Sequence, residues 1–299
     1  MMIDDHRFSR FSREPSVEVM TSAAQSAVWL PLFDDLADPR VVATLAAEAE
    51  ECGWQGFFVW DKLTWASPIL SVTDPWIALA AAAAATEVLR IGPMVTPVPR
   101  RRPSKLARET VALDRLSDGR LTLGVGIGSD AFGSEFERTG EQVNERLRGE
   151  MLDETLSILT AAWRGAPVSH HERHYQVDDI AFLPEPTQRP GIPIWTAGYA
   201  GRTRPLRRAA RCDGYFPVEL EDADQLAETL DTLHALRPKV SDRFDVAVPL
   251  PPDHDPTPYT TAGATWILTE FEPHRIPIDY VRGVIRDGPA MLRLGEQAS

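Results

Sequence analysis

An ionisable pair, Asp61 and Lys62, directly follows the short apolar run at residues 56–60. Lysine is scarce in this chain, with only Lys105 and Lys239 besides Lys62, so a lysine at this position stands out. A lysine amine can form a Schiff base with a carbonyl substrate. A surface ion pair is the alternative interpretation, and the sequence leaves both open.

Glycines recur with a period of two in the segment LTLGVGIG. Gly124, Gly126 and Gly128 alternate with Val125 and Ile127, so one face of the predicted strand carries no side chains. Glycine in a strand often marks a close approach by a ligand or by another backbone. A flat ligand on the strand end and tight packing of a barrel interior explain this pattern equally well. The spacing does not match dinucleotide-binding or hydrolase-elbow motifs.

Three other segments have residues suited to binding. Residues 92–99 contain three prolines, which predict either a cis bond under a planar ligand or a simple strand end. The arginines at 100–102 precede a helix and indicate a phosphate site or a solvated charge run. The small residues at 196–201 precede a helix predicted from Pro205, a pattern typical of anion sites.

Histidines at 170, 171 and 174 suggest a metal cluster. Only Glu172 is spaced to add a further ligand, whereas metal sites in proteins generally use three or four protein ligands. We therefore expect a solvent-exposed hairpin here and no metal.

The elements that must position these residues alternate regularly from Val28 onward. Asp38 with Pro39, and Asp74 with Pro75, are helix-start signals, and Gly53 is a helix-stop signal. We count eight strands and find no domain linker. This pattern favours a closed (β/α)8 TIM barrel, an α/β fold, over an open doubly wound sheet. We expect a single domain with an insertion near residues 168–184. Catalytic groups of such barrels lie at the carboxyl ends of the strands.

The first 27 residues differ from the rest. They lack a helical or strand period and any apolar run long enough for a signal peptide. We expect a disordered tail at residues 1–27 and a barrel domain at 28–299, with Met20 as an alternative start. The remaining 272 residues are close to the typical barrel size of about 250.

The composition restricts which cellular compartment and which classes of binding partner we expect. Of the 299 residues, 43% are hydrophobic and 25% are charged, and the net charge of −13 opposes binding to nucleic acid and to anionic lipid. Two cysteines make no disulfide framework, which indicates a reducing cytoplasm. The longest apolar run, residues 76–85, is half the roughly 20 residues that a membrane span needs.

Several segments together resemble the bacterial luciferase-like family of flavin-dependent oxidoreductases. The resemblance lies, in matching order, in residues 49–61, 101–109, 113–128 and 186–195, with a closing segment at 285–289. It implies a barrel of eight strands and helices that binds either FMN or 8-hydroxy-5-deazaflavin, coenzyme F-420.

The resemblance also implies where the cofactor lies. The ring would lie over the third strand's end, where many members have a cis non-proline peptide; here that bond is Pro93–Met94 or Met94–Val95. The implied cofactor-binding residues are, for the ring, Pro93, Met94, Val95, Thr96, Gly126, Gly128 and Ser129 and, for the phosphate, Thr196, Ala197, Gly198 and Tyr199.

This chain departs from the family at two places. Many relatives have Asp-His after the second strand, where this chain has Asp61 and Lys62; a lysine cation can stabilise an anionic reduced flavin, and the departure weakens the deazaflavin assignment. The chain also has Thr196-Ala197-Gly198 where many relatives have paired glycines, which predicts a closer backbone approach to a phosphate.

The leading hypothesis is a cytoplasmic flavin-dependent oxidoreductase or monooxygenase. A separate flavin reductase would supply a reduced cofactor that transfers a hydride to a small organic substrate or activates oxygen. Asp61, Lys62 and Asp130 are the predicted catalytic residues, Trp29 and Trp65 are predicted to line the substrate pocket, and a homodimer is expected because dimers are common among relatives. The alternatives are a non-catalytic flavin-binding protein and a Schiff-base lyase that uses Lys62.

Overall fold

The computed structural model describes residues 24–237, 243–273 and 276–289. Most of the predicted tail, including Met20, lies outside these residues. The first strand begins at Gln25, three residues before the predicted start, because Gln25 pairs with Trp266 and its amide donates to the Thr265 carbonyl.

Strands and helices alternate through most of the chain. The strands are β1 Gln25–Leu30, β2 Gly56–Val59, β3 Arg90–Pro93, β4 Thr96–Pro97, β5 Leu123–Gly126, β6 Pro167–His171, β7 Gln176–Ala181, β8 Ile194–Tyr199, β9 Gly214–Val218, β10 Asp245–Leu250 and β11 Trp266–Glu270. The helices are α1 Pro39–Glu51, α2 Pro75–Ala85, α3 Pro103–Leu116, α4 Glu145–Ala162, α5 Thr203–Ala209, α6 Ala223–Leu236, α7 Thr257–Thr261 and α8 Ile278–Asp287. None of these helices is both long and apolar enough to cross a lipid bilayer.

Nine of the strands form one sheet, in the order β3-β2-β1-β11-β10-β9-β8-β5-β4. Its pairs are parallel, and β1 lies between β2 and β11. β3 and β4 are two halves of one barrel strand, interrupted at Met94 and Val95, and a bridge between Ile91 and Leu121 joins β3 to the segment before β5. The predicted (β/α)8 barrel of eight strands is confirmed. β6 and β7 form the insertion as an antiparallel hairpin.

Helix starts follow the predicted chemistry. The Asp38 carboxylate accepts a hydrogen bond from the Arg40 amide, and that of Asp74 accepts from the amides of Trp76 and Ile77. Each aspartate therefore satisfies backbone donors that have no partner within the helix, and proline follows at the first helical position.

The barrel interior is built mainly from aromatic side chains. Alternate strand residues face inward, and the buried interior cluster includes Trp29, Phe58, Trp195 and Trp266. Indole rings are large, so a few of them fill the barrel below its carboxyl-terminal mouth. The aromatic filling leaves the carboxyl-terminal mouth, where the strands end, as the place to look for a catalytic site.

Candidate functional site at the carboxyl-terminal mouth of the barrel

Asp61 lies just after β2 and is 2% exposed. Its Oδ2 accepts hydrogen bonds from Thr96 Oγ1 at 2.9 Å and from Arg101 Nη2 at 2.7 Å. Arg100 donates both to Oδ1 and, at 2.9 Å, to the Asp61 carbonyl oxygen. The carboxylate is thus fully engaged, and it holds the segment from Thr96 to Arg101 against the end of β2.

The arginine run at residues 100–102 differs from both sequence interpretations. Arg100 and Arg101 turn inward to Asp61, and the Arg101 guanidinium lies 5.7 Å from the Trp76 ring centroid. Arg102 is exposed at the start of α3. The first two arginines are largely buried rather than solvated, because the buried carboxylate of Asp61 attracts them.

Lys62 pairs with Glu135, a residue that sequence reasoning missed. Lys62 Nζ is 3.5 Å from Glu135 Oε1 and 5.2 Å from the Trp65 ring centroid. Glu135 is 1% exposed, and its Oε2 accepts from the Leu63 amide at 2.9 Å. The ion pair therefore joins the loop after β2 to the loop after β5, and it is mostly buried rather than on the surface.

The charged groups of this cluster include one more cation than carboxylates. Arg100 Nη1 lies 3.5 Å from Glu135 Oε2, so the cluster is continuous from Asp61 to Lys62. With Arg101 it contains three cations and two carboxylates. The surplus cation is suited to an anionic group nearby, because charges in a mostly buried site are weakly screened.

The glycine face of β5 is closely covered by the interrupted barrel strand. A Cβ on Gly124 would lie 2.4 Å from the Pro93 carbonyl oxygen, and one on Gly126 would lie 3.0 Å from Val95 Cγ2. Another backbone therefore approaches Gly124, as the tight-packing interpretation predicts. The peptide between Met94 and Val95 is cis, which confirms one of the two positions that the resemblance implies.

The loop after β5 is folded by its own polar groups. Asp130 Oδ1 accepts from the Phe136 amide at 2.7 Å, and Ser129 Oγ accepts from the Ala131 amide at 3.1 Å. Gly128 has φ +75°, and a Cβ there would lie 2.5 Å from the Phe136 ring. Asp130 thus shapes the turn that carries Phe136 and Glu135.

Arg148 on α4 is a buried cation whose donors are not satisfied. It is 3% exposed, and its guanidinium lies 4.3 Å from the Phe136 ring centroid. Its Nε and Nη1 have no hydrogen-bond partner among the described residues, and its Nη2 is 3.9 Å from Glu145 Oε1. A buried guanidinium with unused donors is suited to an anionic oxygen ligand.

Arg148 lies in the buried stripe of α4, and sequence reasoning did not single it out. The buried positions include Arg148, Leu152 and Thr155, at spacings of four and three. An arginine within this helical stripe was the available signal.

The predicted phosphate residues of β8 face two sides of the sheet. Alternation places Ala197 in the interior with Trp195, and Thr196 and Gly198 on the helix side, where a Cβ on Gly198 would lie 2.3 Å from Pro205. The buried Thr196 hydroxyl has no partner in the described chain. The Thr196 side chain therefore points toward the helices and not into the barrel interior.

Tyr199 at the end of β8 is influenced by two arginines. The Arg202 guanidinium lies 4.6 Å from the Tyr199 ring centroid. Burial raises the pKa of Tyr199, the nearby Glu219 and Glu145 raise it further, and Arg202 and Arg148 oppose them. Two guanidinium groups therefore favour the ionised form of Tyr199.

Glu270, at the end of β11, is a third residue that sequence reasoning missed. It is opposite Trp29 in the parallel register and follows the inward-facing Trp266 and Leu268 at a period of two. Burial and the nearby Glu272 raise its pKa to about 7. The alternation of the β11 segment WILTE was the available signal.

More carboxylates lie near the histidine hairpin than the sequence predicts. Glu154 of α4, His170 and Glu172 each place one potential ligand atom within 4.8 Å of the others. Glu154 also accepts hydrogen bonds from the amides of His174 and Tyr175. The sequence interpretation overlooked Glu154 because the helix supplies it from 16 positions away. Its carboxylate ties the hairpin to α4.

Known proteins resemble this chain over much of its length. A family model described as luciferase-like monooxygenase matches residues 15–258. The chain is 30% identical over 235 residues to an F420-dependent glucose-6-phosphate dehydrogenase of Microbacterium testaceum, which covers 73% of this chain and 66% of that protein. It is 31% identical over 124 residues to the oxygenase component of a flavin-dependent trigonelline monooxygenase of Acinetobacter baylyi, which covers 42% of this chain and 34% of that protein. The matches span less than two thirds of these two relatives.

A solved structure agrees on the fold. An F420-dependent secondary alcohol dehydrogenase, in complex with an F420-acetone adduct, superposes with a TM-score of 0.76. The match covers 91% of this chain and 100% of that chain at 16% identity. At such low identity the likeness concerns the barrel architecture.

Proposed function

Because the chain belongs to the luciferase-like monooxygenase family, we propose that it is an oxidoreductase that uses FMN or the deazaflavin coenzyme F-420 on a small organic substrate. The observation that carries the proposal is the buried Arg148, whose unused Nε and Nη1 donors lie beside the loop after β5. Such donors match the phosphate that both cofactors carry. When bound, the reduced cofactor supplies a hydride, and a reduced flavin also reacts with molecular oxygen.

The residues at the mouth fit the cofactor in two parts. Arg148 and Arg202, which both lower the pKa of Tyr199, would hold the phosphate together with the backbone of residues 196–199. The ring would lie on the strand ends that carry few side chains. The residues proposed for this part are Pro93, Met94, Val95, Thr96, Gly126, Gly128 and Ser129.

The three predicted catalytic residues have different proposed roles. Asp61 would act as a positioning residue, since Thr96, Arg100 and Arg101 occupy its carboxylate. Lys62 would stabilise negative charge on the reduced cofactor, because the cluster around it has a surplus cation. Asp130 would hold the loop that carries Phe136 through its hydrogen bond to the Phe136 amide.

The substrate would enter between aromatic side chains. Trp65 stacks on Phe132 with ring centroids 4.8 Å apart, and Phe132 is 54% exposed at the edge of the mouth. Trp29 lies deeper and donates to the Met94 carbonyl oxygen at 2.7 Å. A separate reductase would supply the reduced cofactor, as the name of the oxygenase-component relative suggests for that protein.

Spectroscopic titration of the purified protein tests this function. FMN and coenzyme F-420 are added separately, and we expect one of them to show a perturbed absorption spectrum and quenched fluorescence at micromolar concentration. Riboflavin, which lacks the phosphate, should bind at least tenfold more weakly than FMN. If neither cofactor binds, the proposal is wrong. Oxygen consumption with the reduced cofactor and candidate substrates then separates monooxygenase from dehydrogenase chemistry.

The Schiff-base alternative gains no support from the geometry. A Schiff base requires a neutral amine, whereas Lys62 Nζ is paired with the buried Glu135 carboxylate. Borohydride treatment in the presence of carbonyl compounds should leave Lys62 unmodified, as mass spectrometry of the tryptic peptides would reveal.

A further inference from the structure

Glu270 places an acidic side chain inside the mouth of the barrel. In β11, Trp266 and Leu268 face the interior and Ile267 faces the helices, so alternation directs Glu270 inward. The register sets Glu270 directly opposite Trp29 of β1. Glu270 is therefore the last inward-facing residue of this strand, at the end of the barrel where ligands bind.

An aromatic wall begins at Trp29, which lies opposite Glu270 in the register. We use this term for Trp29, Phe33, Trp60, Trp65 and Phe216. The Trp29 ring centroid is 5.0 Å from that of Trp60 and 5.2 Å from that of Phe216. Trp65 continues the wall, 5.5 Å from Trp60 and 5.4 Å from Phe33. The faces of aromatic rings attract cations, most strongly when water is excluded.

Glu270 differs from Asp61 and Glu135 at the mouth in its pairing with cationic side chains. Asp61 is bound by Arg100 and Arg101, and Glu135 is paired with Lys62. Within the part of the chain that the structure describes, no hydrogen bond or ion pair engages the Glu270 carboxyl. A partly buried carboxylate without a partner is costly, and a cationic ligand would remove that cost.

The surroundings of Glu270 supply no compensating charge from the neighbouring strands. β1 presents the uncharged Trp29 beside it, and β10 presents the uncharged Pro249 beside Leu268. Glu272, which follows β11, adds a like charge, and with burial it raises the pKa of Glu270 to about 7. The carboxyl is therefore only partly ionised at neutral pH until a cation binds.

We propose that Glu270 and the aromatic wall form a subsite for a positively charged nitrogen, so that the substrate is an organic cation such as an alkylammonium or an N-alkylated heteroaromatic ring. This inference rests on the proposed function, since it names the substrate class of the same site. The carboxylate would pair with the positive charge, and the rings would cover its alkyl or aromatic body.

Binding of model ligands tests the subsite without requiring turnover. Benzyltrimethylammonium, a permanent cation, is compared with benzyl alcohol and benzoate by calorimetry on the full chain, with and without FMN. At pH 8 we expect the cation to bind at least tenfold more tightly than the alcohol. E270Q should reduce that ratio at least fivefold, and the matched control E272Q should keep it within twofold.

The pH dependence supplies a second measurement. The affinity for the cation should fall as the pH is lowered from 8 to 5.5, because protonation of Glu270 removes the charge, and the affinity for benzyl alcohol should stay constant. Equal cation-to-alcohol ratios in the unmodified protein and in E270Q would overturn the subsite. So would tighter binding of the alcohol below pH 7, which would indicate a neutral hydrogen-bond donor.

The two proposals fail in distinguishable ways. Binding of the cation without binding of FMN or coenzyme F-420 would refute the cofactor assignment and support the subsite. Binding of a cofactor without a preference for the cation would refute the subsite alone. Cofactor binding is followed by fluorescence and cation binding by heat. Both measurements can therefore be made on the same preparation of each variant.

Discussion

Arg101 holds the Asp61 carboxylate through two nitrogens, with Nη2 2.7 Å and Nε 3.1 Å from Oδ2. The two residues are 40 positions apart, and the pair is nearly excluded from solvent. Two donors of one guanidinium group that converge on one carboxylate oxygen fix the orientation of the pair as well as its charge contact. The pair therefore sets where the interrupted third barrel strand ends relative to β2.

Asp61→Asn should destabilise the fold strongly. The buried Arg100 and the largely buried Arg101 would lose their counter-charge, a change that typically costs about 3–5 kcal/mol. Urea denaturation gives the free energy of unfolding. Asp38→Asn is the control, because its ion pair with Arg40 is exposed and asparagine also caps helices, so stability should hardly change. Similar losses in both variants would contradict the anchoring role.

Gly128→Ala should cost more than Gly140→Ala. Both glycines have φ +75°, so both variants carry a backbone penalty of about 1 kcal/mol. A Cβ on Gly128 meets the Phe136 ring at 2.5 Å, whereas Gly140 has nothing within 4 Å. We expect an additional cost of about 1–3 kcal/mol for Gly128→Ala, from overpacking. Equal thermal unfolding free energies would show that the loop relaxes around the new methyl group.

Arg148→Gln should weaken FMN binding by about tenfold to a hundredfold, because a charge-assisted hydrogen bond contributes about 1.5–3 kcal/mol. Riboflavin, without a phosphate, should bind the variant and the unmodified protein equally. The control Arg146→Gln alters an exposed arginine of the same helix. A parallel loss of riboflavin affinity would point to a folding defect instead, and far-ultraviolet circular dichroism would then show it.

Lys62→Met should lower the midpoint potential of the bound cofactor. A cation beside the ring stabilises the anionic reduced form of the cofactor. Removing the cation should therefore lower the midpoint potential by about 30 mV, which is equivalent to about 1.4 kcal/mol in a two-electron couple. Spectroelectrochemical titration measures the change. Lys105→Met, on the exposed face of α3, should leave the potential unchanged. An unaltered potential in Lys62→Met would remove Lys62 from the cofactor site.

Glu270 should make stability decrease with rising pH. Its pKa is raised from an ordinary value of 4.5 to about 7, so the folded state binds more protons than the unfolded state between these values. Its stabilising contribution is complete below pH 4.5 and is lost as the pH rises through 7. Relative to E270Q, the protein should lose about 1–3 kcal/mol between pH 4.5 and 8 in denaturant titrations. Parallel stability profiles would sink this assignment.

The sequence predicts those parts of the fold that depend on local signals. Asp38 and Asp74 cap their helices as expected, because a cap depends on residues two or three positions away. The first strand was placed three residues late because its start is fixed by pairing with β11, more than 200 positions along the chain. Pairing across such a distance leaves no local pattern.

By itself, the sequence determined the alternating (β/α)8 barrel, the bare glycine face of β5 and the position of the cis peptide among two neighbouring bonds. Each follows from periodicity or from likeness over contiguous segments. Only the tertiary structure decided that Arg100 and Arg101 bind Asp61, that Lys62 pairs with Glu135, and that Nε and Nη1 of Arg148 have no hydrogen-bond partner among the described residues. The physical reason is that the energy of a charge depends on its distance to other charges and on burial, which folding sets between residues far apart in the chain.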